Sequence, residues 1–250
     1  MILVVPTPEH YEDYLSFAAE EGLGFEIQDF IFPQILDDEK KVSELLSLYE
    51  KGPVVSLHGP FIDLNFSGGD LKVFSITRER IETVASYCNI LGAKKMVLHS
   101  CFFTVSPKED PLYDIWSRTS AGLLCEIAEK YDITLCIENV IDRDPDIIKR
   151  MVETASHPKI KVCLDVGHAN FSMAGIDTWM NALGPYIVHY HLHDNGGYYD
   201  EHLAAGDGTV EWKRFFELKK RFDQDASMLL EVSTLESAKK SYEFLKSYAG

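Results

Sequence analysis

Residues Thr134 to His168 read TLCIENVIDRDPDIIKRMVETASHPKIKVCLDVGH. Two short runs in it, TLCIE and KVCLD, are mostly apolar or β-branched, and each stops on a carboxylate, Glu138 and Asp165. Runs of this length and hydrophobicity fit strands covered on both faces. Between them Asp146 stands just before the run Ile147–Met151, a helix-start signal. The order strand, helix, strand predicts parallel strands joined by a crossover helix.

Outward from this unit the same alternation runs to both ends of the chain. Strand candidates begin near Ile2, Gly24, Val54, Lys95, Thr134, Lys161, Ile187 and Met228. Helix signals fill the intervals: Pro8 before Glu-rich sequence, Asp37 before Glu39, Thr77 through Gly92, and Thr234 before Glu236. Eight strand slots with interleaved helices predict an α/β fold, a closed (β/α)8 TIM barrel, with residues 1–250 as a single domain. A length of 250 residues with 46% hydrophobic content supports a sizeable core. Three longer segments without periodicity, Gly59–Phe74, Ser100–Pro111 and Asp194–Val210, each follow a strand. In a barrel that is the active-site face.

The formal net charge of −16 argues against phosphate backbones or anionic lipid as partners of the surface as a whole. Cys88, Cys101, Cys125, Cys136 and Cys163 are scattered and contain no C-x-x-C pair, so they read as buried thiols in a reducing compartment. The apolar run Met1–Val5 stops at Pro6 and lacks a basic flank, unlike a secretory signal or a membrane span. A soluble, cytoplasmic protein is expected. Oligomeric state has no signature in the chain.

The strand ends carry the chemistry. VVSLHGP ends on His58, MVLHS on His99, LCIENV on Glu138, and KVCLDVGH supplies Asp165 and His168. HYHLHDN supplies His191, His193 and Asp194, LLEVS supplies Glu231, and DEHLAAGDG adds Asp200 and His202. A lone histidine at a strand end is usually a hydrogen-bonded structural residue, and His10 and His157, in helix or loop context, keep that reading. Ionisable groups closing six consecutive strands are different. Buried and unpaired they would each cost several kcal/mol, on the order of 2–7. A divalent cation answers that cost, and imidazole with carboxylate is the donor set expected for zinc, manganese, iron or cobalt. His189, His191 and His193 share one strand face, since side chains alternate.

Taken in order, HGPFIDLN (58–65), LGAKKMVLHS (91–100), IEN (137–139), LDVGHAN (164–170), HLHDN (191–195), DEHLAAGDG (200–208) and LLEVS (229–233) resemble the xylose isomerase-like barrel superfamily over nearly the whole chain. That superfamily includes sugar phosphate isomerases and epimerases and endonuclease IV. The resemblance implies one divalent metal, zinc, manganese, cobalt, magnesium or iron, held by Glu138, Asp165, His191 and Glu231, and no organic cofactor. It implies a small-molecule sugar as substrate and proton transfer next to a carbonyl through an enediolate, with Glu138 and Glu231 as acid and base. His58, His99 and His168 would then touch substrate oxygens, and His193 would sit behind the ligands or on the substrate.

The same residues match the fuller endonuclease IV pattern, in which His58, His99, His168, Asp200 and His202 hold additional metals. That alternative implies a zinc phosphodiesterase acting on abasic-site DNA. A DNA enzyme should ring its site with Lys and Arg. Ser67–Asp70 and Asn195–Glu201 contain neither, and Thr104–Asp114 sets Lys108 against Glu109, Asp110 and Asp114. Tyr198 and Tyr199 suit a base or the wall of a sugar pocket equally. A third reading is a metal-containing barrel without catalysis. The lack of a Gly-rich phosphate loop or an Arg clamp slightly favours an unphosphorylated sugar.

Overall fold

In the computed structural model, which describes residues 1–66, 70–102, 111–222 and 225–248, eight parallel strands close a barrel in sequence order. They are β1 (Ile2–Val4), β2 (Gly24–Ile27), β3 (Val54–His58), β4 (Lys95–His99), β5 (Thr134–Glu138), β6 (Ile160–Asp165), β7 (Ile187–Leu192) and β8 (Ser227–Leu230). The ring closes where Ile2, Leu3 and Val4 pair with Met228, Leu229 and Leu230. Six of the eight strands begin on the residue read from sequence. β6 and β8 each begin one residue earlier.

Helices follow the strands: α1 (Tyr11–Glu21), α2 (Glu39–Tyr49), α3 (Leu71–Leu91), α4 (Pro111–Tyr131), α5 (Asp146–Ala155), α6 (Val166–Phe171), α7 (Gly175–Leu183), α8 (Trp212–Phe222) and α9 (Leu235–Lys246). In α5, Ile148, Met151 and Val152 form the buried stripe at helical spacing. Two starts differ from the sequence reading. Asp38, not Asp37, caps α2 by accepting from Lys41 N at 3.0 Å, because Asp37 is drawn into a two-point pair with Arg80. α3 begins six residues before Thr77, capped by Asp70. Its first turn exposes Leu71 and Val73, so that turn has no apolar period to read.

Most of the core lies between the strands and the helices, where Leu135, Ile137, Val162, Leu164, Ile187, Tyr190 and Leu192 point outward. Inside the barrel the apolar layer is thin: Val97, Cys136 and Cys163, with Val188 against them. A register shift opposite Val188 pairs Val162 with Ile187 and Cys163 with His189. That extra residue in β7 sends His189 and His191 inward. The five cysteines are free; Cys88, Cys136 and Cys163 are buried, whereas Cys101 in the loop after β4 and Cys125 on α4 are half-buried. Among the described residues no helix is long and apolar enough to cross a membrane.

Candidate metal centre

Parallel register sets the donors side by side. His99 is the lateral partner of Glu138, and Asp165 that of His191. Glu231 directly follows β8, and its backbone N–H donates to Leu192 O at 3.1 Å, which places it beside β7. The result is one quartet, Glu138, Asp165, His191 and Glu231, whose donor atoms lie within 4.8 Å of one another. His191 Nδ1 sits at its middle, 2.9 Å from Glu231 Oε2, 3.4 Å from Glu138 Oε1 and 4.0 Å from Asp165 Oδ2.

One further group shares a carboxylate with the quartet, and another touches one. Glu138 turns its other oxygen, Oε2, toward His58 Nε2 at 3.1 Å and His99 Nε2 at 3.5 Å. Asp165 Oδ1 meets His193 Nε2 at 3.1 Å. There His168, His193, Asp200 and His202 form the third group. Asp200 reaches His168 Nε2 at 3.3 Å through Oδ2, and His202 and His193 Nε2 at 3.1 and 3.5 Å through Oδ1. The rings of His193 and His202 stack at 4.1 Å. His193 thus belongs to this outer group rather than to the quartet. Every residue read as a candidate from the strand-end motifs converges here except Asp194. That carboxylate instead ties down the loop after β7, accepting from Asn195 N, Gly206 N, Val210 N and Trp212 Nε1 at 2.8–3.0 Å. His10 and His157 lie elsewhere, near Asp13 and Glu129.

The backbone orients four of the six rings in the same way. Nδ1 of His58, His168, His193 and His202 lies 2.8, 2.8, 3.4 and 2.9 Å from the carbonyls of Gly59, Asn139, Asp194 and Glu231. A carbonyl only accepts, so Nδ1 carries a proton, and Nε2 would turn a lone pair inward once the ring is neutral beside a cation. Asn139 braces the wall further, donating to Asp165 O at 3.0 Å and accepting from Asp165 N at 2.8 Å. Gly167, in the first turn of α6, is required by close approach: a Cβ there would stand 2.1 Å from His193 Cε1. His99 is held differently, stacked on Phe61 at 3.8 Å.

Electrostatics follows from packing anions and imidazoles out of water. Burial alone would raise Glu138, but His191, His168 and His58 hold it well below the usual carboxylate range. Burial likewise opposes ionisation of Glu231 and Asp200, and the imidazoles beside each overcome it and depress both. Burial pushes down on His191 and His168, yet the surrounding acidic groups raise both well above an ordinary histidine, and the same contest leaves His202 at about 9. His99, with burial dominant, falls to about 3. Without a cation, the groups that balance these carboxylates among the described residues are protonated imidazoles. Asp165 Oδ2, His168 Nε2, His191 Nδ1, His193 Nε2 and Glu231 Oε2 are all buried and make no hydrogen bond of acceptable geometry, although His191 Nδ1 lies 2.9 Å from Glu231 Oε2 and His193 Nε2 3.1 Å from Asp165 Oδ1. Close donor atoms aimed at a common point without hydrogen-bond alignment fit a divalent cation. The residues present suit one.

Sequence reading missed the support beneath the quartet. Glu26 and Gln28 on and after β2 face the barrel axis; Gln28 Nε2 donates to Glu231 Oε1 at 2.7 Å, and Glu26 Oε1 lies 3.1 Å from His191 Nε2. The one signal for them was a carboxylate inside the otherwise apolar GFEI. Residues 67–69 and 103–110 of the loops after β3 and β4, which contain Lys108, lie outside the described residues.

Residues 16–248 match the family described as xylose isomerase-like TIM barrel. The chain belongs to that family. Among xylose isomerase-like barrels of known structure, a D-tagatose 3-epimerase-like protein is 25% identical, with a TM-score of 0.82 over 99% of this chain and 96% of the other. The TTHB071 protein from Thermus thermophilus, solved after soaking with ZnCl2, shares the fold at 24% identity and a TM-score of 0.78, over 100% and 98% of the two chains. An uncharacterized protein of Methanocaldococcus jannaschii is 29% identical over 227 residues, 84% of this chain and 74% of the relative.

Proposed function

We propose that this chain is a divalent-metal-dependent sugar isomerase or epimerase that moves a proton at a carbon next to a carbonyl. The observation that carries the reading is the pair of carboxylates, Glu138 and Glu231, on either side of His191 Nδ1 at 3.4 and 2.9 Å. The similarity to a D-tagatose 3-epimerase-like protein supports the same class. A cation held by Glu138, Asp165, His191 and Glu231 would stabilise negative charge developing on adjacent carbonyl and hydroxyl oxygens of an open-chain sugar.

The side chains divide the remaining work. Glu231, at 9% exposed, is the more open of the pair and takes or returns the proton on the face toward the mouth. Gln28 fixes its carboxylate plane by donating to Oε1. Glu138, at 1% exposed, acts from the opposite side, and His58 and His99 on its Oε2 tune how strongly it holds a proton. His168, with Nε2 turned inward, offers a contact for a substrate oxygen.

The two flanking histidine groups favour a second reading, a polynuclear phosphodiesterase. Incubating zinc- or manganese-loaded protein with a panel of ketoses and aldoses in D2O separates the two. Metal-dependent deuterium at the carbon next to the carbonyl, read by NMR, is the expected result. Cleavage of an abasic-site duplex at low salt, with no deuterium entering any sugar, would transfer the assignment to phosphoester hydrolysis.

A further inference from the structure

We propose that Glu26 is the positioning residue for His191, taking the place that a backbone carbonyl holds behind four of the other rings. The inference rests on the reading that His191 ligates a cation. His191 is turned over relative to those rings. Its Nδ1 faces Glu138 and Glu231, and its Nε2 faces Glu26 Oε1 at 3.1 Å. Among the described residues no carbonyl accepts a hydrogen bond from it, and neither nitrogen makes one of acceptable geometry.

Glu26 is a fully buried carboxylate halfway down the barrel, and its own place is set by a column of polar groups. Oε2 accepts from Ser56 Oγ at 2.6 Å and pairs with His189 Nε2 at 2.9 Å. His189 Nδ1 lies 2.7 Å from Ser227 Oγ, which accepts from Lys95 Nζ at 2.7 Å. Lys95 begins β4, so an ammonium at the lower end balances the carboxylate through two intervening side chains. With both His189 nitrogens engaged, Oε1 is left for His191, shared among the described residues with a long contact from Gln28 Nε2 at 3.3 Å. The other neighbour of the ring, Cys163, is a poor competitor, because a thiol is only a weak acceptor beside a carboxylate.

An anion accepting from the outer nitrogen fixes which nitrogen carries the proton, holds the ring plane and strengthens the inner lone pair as a donor. When Nδ1 binds the cation, Nε2–H donates to Glu26 Oε1. Partners of this kind typically change metal affinity by about 10–100-fold when removed.

The test measures zinc affinity by chelator competition for the native chain, His191→Ala and Glu26→Gln. Both variants are expected to bind at least about tenfold more weakly. If His191→Ala binds as tightly as native, the ligand reading itself fails. If His191→Ala weakens binding and Glu26→Gln does not, the assignment of Glu26 is overturned. Should Glu26→Gln not fold, the zinc-loaded native protein with 15N-labelled histidine decides. A downfield, slowly exchanging proton on Nε2 of His191 is expected, and a rapidly exchanging one overturns the proposal.

Discussion

Replacing Gly167 by alanine should disable the outer histidine group and spare the quartet. The added Cβ would lie 2.1 Å from His193 Cε1 and 2.4 Å from Nδ1 and Nε2, whereas ordinary contact begins at 3.4 Å. The ring must therefore retreat by 3.4 − 2.1 = 1.3 Å. It has nowhere easy to go, being fully buried and stacked on His202 at 4.1 Å. Overpacking at such a site costs about 1–3 kcal/mol. For a chain of this size each kcal/mol lowers Tm by about 2–4 °C, so a fall of about 2–12 °C follows. The same displacement takes His193 Nε2 out of reach of Asp165 Oδ1 and Asp200 Oδ1, now 3.1 and 3.5 Å away. In zinc per chain, measured by mass spectrometry after loading and desalting, the quartet should keep its ion, and any ion that the outer group takes up in the native protein should be lost. A variant that matches the native protein in both Tm and zinc content would show that the ring has room and that the reasoning is wrong. Loss of the quartet ion instead would refute the division into groups.

Three further outcomes follow from the same geometry. Glu231→Gln should lower deuterium incorporation into a responsive sugar by about 100-fold or more, the usual contribution of a positioned acid or base; incorporation at the native rate would remove Glu231 from the chemistry. Stripping the cation with a chelator should lower Tm by about 5–11 °C, because ligand at about 100 times its Kd contributes about 2.7 kcal/mol; an unchanged melt would contradict a cation holding the orphaned donors. Asp142 supplies a pH dependence: burial raises its carboxyl to about 6, against hydrogen bonds from Val140 N and Ser100 Oγ. Between about pH 4 and 6 the folded chain keeps a proton that the unfolded chain has lost, so stability falls with rising pH by on the order of 3 kcal/mol. Asp142→Asn cannot lose that proton. Its stability relative to native should therefore improve by this amount from pH 4 to pH 7 in denaturant titrations, and an equal difference at both pH values would count against the assignment.

The strands were legible because each is a short apolar run ending on an ionisable residue, and parallel register then brings those ends to one face. His99 beside Glu138 and Asp165 beside His191 follow directly from that pattern. What lay hidden depends on contacts across the barrel. Glu26 is one odd carboxylate in GFEI, and its role shows only when His189 and His191 close around it from a strand far along the chain. Asp194 looked like one more donor, but three backbone N–H groups of its own loop and the indole of Trp212 at the start of α8 claim it. Gly167 is one small residue in LDVGHAN, and only the approach of His193 explains it. Local pattern also misled at α3, whose exposed apolar first turn carries no period.

The ring closes between β1 and β8, and Glu231 stands one residue beyond that seam. The quartet is therefore incomplete until the last strand has zipped onto the first. A nascent chain can offer His58, His99 and Glu138 to a passing ion long before Glu231 has been synthesised, but not the four-donor site. In the finished protein, parting of the same seam would carry Glu231 away from its partners and give the ion a way out. Release of zinc to excess chelator should then speed up with mild denaturant in step with hydrogen exchange at the β1–β8 amides.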